Sequence, residues 1–100
     1  MKTIVVDMDG VLCSEMPTFE RSLAEPLPGA AAGLLALKGS GYRVVIYTAR
    51  GWQEYDMTYR WLKNHDMVFD VLMCGKPIAD LWIDDRAISF TSWSSINVSA

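Results

Sequence analysis

Four β-branched residues in a row, Thr3-Ile4-Val5-Val6, run without polar alternation and stop at two aspartates one residue apart, Asp7 and Asp9. β-Branched side chains are stiff at χ1 and fit a pleated strand. A strand with no alternation suits a parallel sheet covered on both faces. The ending is the tighter constraint. Like charges this close repel, and each carboxylate is costly to desolvate. The strand must therefore emerge where the acids can meet solvent, a cation or a ligand.

The rest of the chain supplies further strands and the helices between them. Residues 13–28 are polar and contain prolines, and read as a loop. A helix is expected from Pro28-Gly29, with Ala31, Leu34, Leu35 and Lys38 at helical spacing and Gly39-Ser40-Gly41 closing it. Arg43-Val44-Val45-Ile46-Tyr47 reads as a second buried strand. Trp52, Tyr55, Tyr59 and Leu62 recur at steps of three and four, giving an amphipathic helix to about Asn64. Their spacing places the aromatics in the core, with Trp52 the one able to line an entrance. Residues 68–73 read as a third strand and Leu81-Trp82-Ile83 as a short fourth. The tail from Ser89 carries no clear pattern. Strand, helix, strand, helix, strand, turn, strand describes a single α/β domain over residues 1–100, with a parallel sheet and right-handed crossovers.

Composition narrows the surroundings of this domain. The net charge is −3, which offers no basic footprint for nucleic acid. Asp7 and Asp9 interrupt the first apolar run too early for a secretory signal. No stretch has the length of a membrane-spanning helix. Cys13 and Cys74 match no zinc or redox spacing and read as small buried residues near strand ends. The expectation is a cytoplasmic protein with no membrane partner.

Each expected strand is followed by polar residues: Asp7-Met8-Asp9-Gly10, Thr48-Ala49-Arg50-Gly51, Gly75-Lys76-Pro77 and Asp84-Asp85-Arg86. In an open parallel sheet, ligands bind beyond the carboxyl ends of the strands. Four acids, a threonine and a lysine should then converge on one crevice. Such a cluster is tolerable around a divalent cation, and oxygen-only ligands favour Mg²⁺. Each piece alone has an ordinary explanation: a solvated turn, a helix cap, a surface lysine. Their joint placement on successive strand ends is what points to chemistry.

Asp7-Met8-Asp9-Gly10-Val11, Tyr47-Thr48-Ala49-Arg50, Gly75-Lys76-Pro77 and Ile83-Asp84-Asp85 resemble, in order, the four signature motifs of the haloacid dehalogenase-like (HAD) superfamily. The resemblance spans residues 4 to about 88. More narrowly, the set is similar to small phosphatases associated with capsule or lipopolysaccharide biosynthesis. Val11 stands where a threonine is commoner. The resemblance implies a three-layer Rossmann-like domain and a Mg²⁺-dependent phosphomonoester hydrolase that works through an aspartyl-phosphate.

By that resemblance Asp7 is the nucleophile and Asp9 the general acid, then general base. The expected metal ligands are the Asp7 carboxylate, the Asp9 backbone carbonyl and Asp85, with Asp84 in support and near Lys76. Thr48, the Ala49 N–H and Lys76 would hold phosphoryl oxygens, Gly10 and Gly51 would let backbone approach the ligand, and Arg50 is a further substrate-binding candidate. Arg86 is a weaker one, and Arg21 reaches the site only if its loop folds over. His65 suits a helix C-terminus. The gaps between motifs leave no room for a cap domain, so exclusion of water falls to the 13–28 loop, to a neighbouring subunit in a homo-oligomer, or to the substrate. A sugar phosphate or similar small phosphoester is the first substrate expected, with nucleotides or polynucleotide ends behind it. The competing readings are a phospho-accepting receiver-like switch and a catalytically silent HAD-like binding module. The order of acids disfavours the switch, whose phosphorylated aspartate follows the third strand.

Overall fold

A computed structural model describes residues 2–96 of the chain. Strand β1 (Thr3–Val6) leads through a loop to helix α1 (Ala30–Gly39), then to β2 (Arg43–Tyr47), α2 (Tyr55–Asn64) and β3 (Val71–Met73). The sheet order is β1-β2-β3 and both pairings are parallel, with Val5 opposite Val45 and Ile46 opposite Leu72. The principal extents of 37 × 31 × 23 Å and radius of gyration of 13.0 Å fit a chain of this length.

Alternate strand residues share a face. Ile4, Val6, Val44, Ile46 and Leu72 join one core cluster with Ala30, Leu34 and Leu37 of α1 and Trp61 and Leu62 of α2. Both helices thus cover the same face, as two successive right-handed crossovers in one direction require. The opposite face carries Val5, Val45, Tyr47, Val71 and Met73, which lie outside that cluster. Val5 is 60% and Met73 42% exposed there. The expectation that the β-branched runs are covered on both faces holds for β2, where Val44, Val45 and Ile46 are all buried, and is corrected for β1, where Val5 is exposed.

Helix α1 ends as expected, with the Ser40 and Gly41 N–H groups closing on the last turn and Gly41 at φ +92°. His65 follows α2 as its C-cap. The 13–28 loop is not wholly irregular: Thr18–Leu23 form a 3₁₀ turn. Arg21 from this turn makes two hydrogen bonds of 2.8 Å to the Glu54 carboxylate, which also accepts the Gly51 N–H. Arg21 therefore ties the loop to the start of α2 and does not reach the strand ends. No cap domain is evident among the described residues. No helix of these residues is long and apolar enough to cross a membrane.

Three expectations about elements need correction. β3 begins at Val71, because Val68 and Phe69 pack against the core as an irregular approach to the sheet. Trp52 and Tyr59 are largely exposed, Trp52 lying beside Gly75 at the β3 exit and Tyr59 edge-on to Phe69. Leu81-Trp82-Ile83 forms no strand, and the three residues are 73%, 52% and 94% exposed.

Candidate active site at the strand ends

Immediately after β1 the chain turns sharply. The Val11 and Leu12 N–H groups both donate to the Met8 carbonyl, and the Gly10 N–H donates to the Cys13 carbonyl. Gly10 takes φ +84°, a conformation that costs glycine nothing and other residues strain. Met8, Leu12 and Cys13 are buried beneath this turn while Asp7 and Asp9 stay at its rim. Alternation along the turn thus sorts apolar anchors inward and acids outward.

The Met8 N–H donates to Asp7 Oδ1 at 2.8 Å. Lys76 Nζ stands 3.9 Å from Asp7 Oδ2, with both side chains partly open to solvent. Lys76 is brought there by two backbone links: its N–H donates to the Thr48 carbonyl at 2.9 Å, and the Gly75 N–H donates to the Arg50 carbonyl at 2.8 Å. The β3 exit is therefore stitched to the β2 exit, and its lysine is aimed at the β1 exit. Gly75 sits at φ +79°, and a Cβ there would come within 2.9 Å of Trp52 Nε1. Glycine is required at this close approach.

Asp9 is held from below. Arg50 Nε donates to Asp9 Oδ2 at 3.0 Å and Nη2 to Oδ1 at 2.8 Å, a two-pronged pair. Arg50 is fully buried, with Nη1 donating to Thr58 on α2 at 3.0 Å. Burial works against its charge, but the hydrogen bonds and charge of Asp9 outweigh this and hold the guanidinium above its ordinary range. The Cys13 thiol lies 3.6 Å from Asp9 Oδ1. Burial first, and the neighbouring Asp9 charge second, push that thiol up to about 12. Cys74 is also raised by burial. Both thiols are free and buried, as expected of structural cysteines.

Arg50, a substrate-binding candidate from sequence, spends its donors on Asp9 and Thr58 inside the protein. Thr48 is also wholly buried, and its hydroxyl accepts the Arg50 N–H at 3.1 Å beneath the rim. Ala49 is exposed beside it. Gly51 has an ordinary φ of −72°. Asp84 and Asp85, expected as metal ligands, lie on an exposed segment. Asp84 caps the Arg86 N–H, and the Asp85 and Arg86 side chains are 90% and 91% exposed. Their segment is not in the sheet of the described residues. Among the described residues no group of three or more His, Cys, Asp or Glu could hold a metal ion.

Two members of the arrangement have no motif to announce them. Thr58 lies on α2; its signal is a small hydroxyl on the helix's inward stripe, where an apolar residue is commoner. Cys13 lies four residues after Asp9, a spacing that a turn brings together.

No family model and no curated relative matches the chain. Solved structures do. A crystal structure of a structural-genomics target from Vibrio cholerae is 26% identical, with a TM-score of 0.83, covering 98% of this chain and 91% of that one. A structure of the Pnkp1/Rnl/Hen1 complex is 21% identical over 84% of this chain and 30% of that chain, with a TM-score of 0.65. D,D-heptose 1,7-bisphosphate phosphatase from B. bronchiseptica, complexed with magnesium and phosphate, is 22% identical with a TM-score of 0.56, over 87% of this chain and 54% of that one. These likenesses show a HAD-like fold.

Proposed function

With the HAD-like fold as the premise, we propose that this chain is a phosphomonoester hydrolase in which Asp7 is the nucleophile. The reading is carried by one observation: Lys76, from the end of β3, points its ammonium at the Asp7 carboxylate at the end of β1. A solvent-open carboxylate fixed by a backbone N–H and faced by a lysine is suited to attack a phosphorus centre, with the lysine offsetting charge on the phosphoryl oxygens.

In the proposed reaction Asp7 Oδ2 bonds to phosphorus as the ester oxygen departs. Asp9 protonates that oxygen and then takes a proton from the water that hydrolyses the aspartyl-phosphate. Arg50 fixes the orientation of Asp9 through one lone pair on each oxygen, which leaves others for proton transfer. The Ala49 N–H and Lys76 hold the phosphoryl oxygens. Magnesium belongs to this reading by resemblance. Of its expected ligands the described residues bring Asp7 and Asp9 to the strand ends, while Asp84 and Asp85 lie on an exposed segment, so they do not complete a cation site. A small phosphoester such as a sugar phosphate is the proposed substrate. The heptose bisphosphate phosphatase and the RNA repair complex among the similar structures support both small-molecule and polynucleotide phosphoesters as candidates.

Phosphate release from p-nitrophenyl phosphate, with and without Mg²⁺, tests the reading. Multiple turnovers abolished by Asp7→Asn are expected. One phosphorylation per chain from a small phosphodonor, without turnover, would instead identify a phospho-accepting switch.

A further inference from the structure

Trp52, Tyr55 and Tyr59 follow one another at helical spacing, and their rings form a row. The Trp52 and Tyr55 centroids are 5.9 Å apart with planes 15° from parallel, and those of Tyr55 and Tyr59 are 6.1 Å apart at 22°. Offset stacks at such separations are a preferred arrangement of aromatic rings. The far end of the row is closed. Phe69 meets Tyr59 edge-on at 5.7 Å, and the Lys63 ammonium lies 5.3 and 4.9 Å from the centroids of these two rings. The near end is open: Trp52 is 58% exposed. The Nε1–H groups of Trp61 and Trp93 are bonded to the Ala24 and Val11 carbonyls, whereas that of Trp52 has no acceptor among the described residues.

That open end stands at the candidate site. The indole edge lies so close to Gly75 that a Cβ there would come within 2.9 Å of Trp52 Nε1. Lys76 follows directly, and its ammonium faces Asp7 at 3.9 Å. The same ammonium lies 6.0 Å from the Tyr47 ring and 5.1 Å from the Trp82 ring. The proposed phosphoryl cradle therefore opens among aromatic faces, and of these Trp52 is the one braced by a stack behind it. Core packing accounts for Tyr55 and Phe69, which rest on the buried cluster. It does not account for Trp52. A single exposed tryptophan is ordinary. One pinned between Tyr55 and Gly75, with a free face and a free N–H beside a phosphate cradle, is a platform that loses little freedom when a ligand covers it.

We propose that Trp52 determines the specificity of the candidate site, its open face stacking with a planar base carried by the leaving group. The preferred substrate is then a nucleoside monophosphate, a sugar phosphate that bears a base, over the bare sugar phosphate. The inference rests on the proposed phosphatase reading for the bond that breaks and on the aromatic row for the group that is recognised. A planar ring continues the row with the geometry its members already share, while a puckered sugar ring covers less of the indole. Every base offers such a face, so the platform selects bases as a class and not one base among them. The chain's net charge of −3 gives a long phosphate backbone no electrostatic gain, which favours a single nucleotide over a polynucleotide.

Adenosine 5′-monophosphate and ribose 5-phosphate test this, because they share the ester to be broken and differ by the base. Wild-type kcat/KM should favour the nucleotide by about 5- to 150-fold, the range for one stacked base. Trp52→Ala should bring that ratio close to one, mainly through KM, since the stack is made equally in the ground and transition states. Trp52→Phe keeps a ring and should keep most of the preference. Equal wild-type rates for the two esters would overturn the proposal. So would a preference that survives Trp52→Ala, or a loss that falls equally on both esters, which would make Trp52 a packing residue.

A second measurement uses no turnover. The chain has four tryptophans, and in the Asp7→Asn protein the indole N–H resonance of Trp52 is the one missing when Trp52→Phe is added. Adenosine 5′-monophosphate should shift this resonance, and ribose 5-phosphate should not. The Trp61 and Trp93 resonances, whose N–H groups are bonded inside the protein, should stay in place. No shift, a shift confined to Trp82, or an equal response to both esters would overturn the proposal. A wild-type chain that releases no phosphate while its Trp52 resonance still answers to the nucleotide alone would defeat the phosphatase reading and leave the platform standing.

Discussion

Arg50 and Asp9 meet through two hydrogen bonds of 3.0 and 2.8 Å, one partner fully buried and the other at the rim of the strand ends. The pair joins the turn after β1 to the turn after β2, and through Thr58 to α2. Arg50→Met removes the buried member and leaves Asp9 at the rim and Thr58 short of a donor, so it should lower the free energy of unfolding by about 1–3 kcal/mol, read by urea denaturation. Arg50→Lys keeps the charge and loses the fork, and should fall between the two. An Arg50→Met chain as stable as wild type would show that the pair does not hold the site together.

Asp7 is placed differently: its carboxylate is partly open to solvent and faces Lys76 at 3.9 Å. Asp7→Asn should leave the stability within about 0.5 kcal/mol of wild type, as for surface changes, while abolishing phosphate release. Lys76→Ala should retain the fold and lose about 10²–10³ in kcat, the usual cost of one oxyanion donor. Equal losses of stability and activity in both variants would mean that the residues are structural.

How much of this is legible in the sequence follows from how each residue is held. β1, β2 and both helices announce themselves locally, through β-branched runs and through Gly39-Ser40-Gly41, with nearly their observed bounds. The meeting of Lys76 with Asp7 also follows from strand order, because parallel strands deliver their exits to one edge. Arg50 could not be placed this way. Whether an arginine beside a motif faces substrate or core depends on Thr58 and Cys13, which are distant or unremarkable in sequence. Leu81-Trp82-Ile83 has strand-like residues, but a strand needs an edge to join, and among the described residues this segment joins none.

Asp70 gives a pH-dependent test away from the site. Hydrogen bonds from Lys38, first, and from the Val44 N–H hold its carboxyl below the ordinary value of 3.8. A folded-state value below the unfolded one contributes stability that is present above the unfolded value and is lost as pH falls through the folded one. Asp70→Asn should therefore be less stable than wild type at neutral pH, and the difference should shrink below about pH 4, in parallel thermal scans. A difference independent of pH would contradict the assignment.

The two thiols should be silent in the folded protein. With Cys13 pushed up to about 12 by burial, and Cys74 also raised, almost no thiolate exists at pH 8. Reaction with a disulfide reagent should proceed only as fast as unfolding exposes the cysteines, and should become rapid in denaturant. Fast labelling of native protein would contradict the burial of either side chain.

Gly33 is where Trp93 rests on α1: a Cβ there would overlap the Trp93 ring. Alanine in a helix interior gains about 1 kcal/mol over glycine. Gly33→Ala should nonetheless displace the Trp93 ring, because its Nε1 is held by the Val11 carbonyl and cannot follow without losing that bond. Tryptophan fluorescence should shift towards that of solvated indole, and an unchanged spectrum with higher stability would mean that the ring moves freely.

The central claim is that Asp7 carries the phosphoryl group, and rapid-quench trapping tests it most directly. Protein mixed with a phosphomonoester and stopped in acid within one turnover should yield a single phosphorylated peptide, the one containing residue 7, with none in Asp7→Asn. Phosphate released at the wild-type rate by Asp7→Asn, or with no phosphoryl group ever found on that peptide, would contradict it.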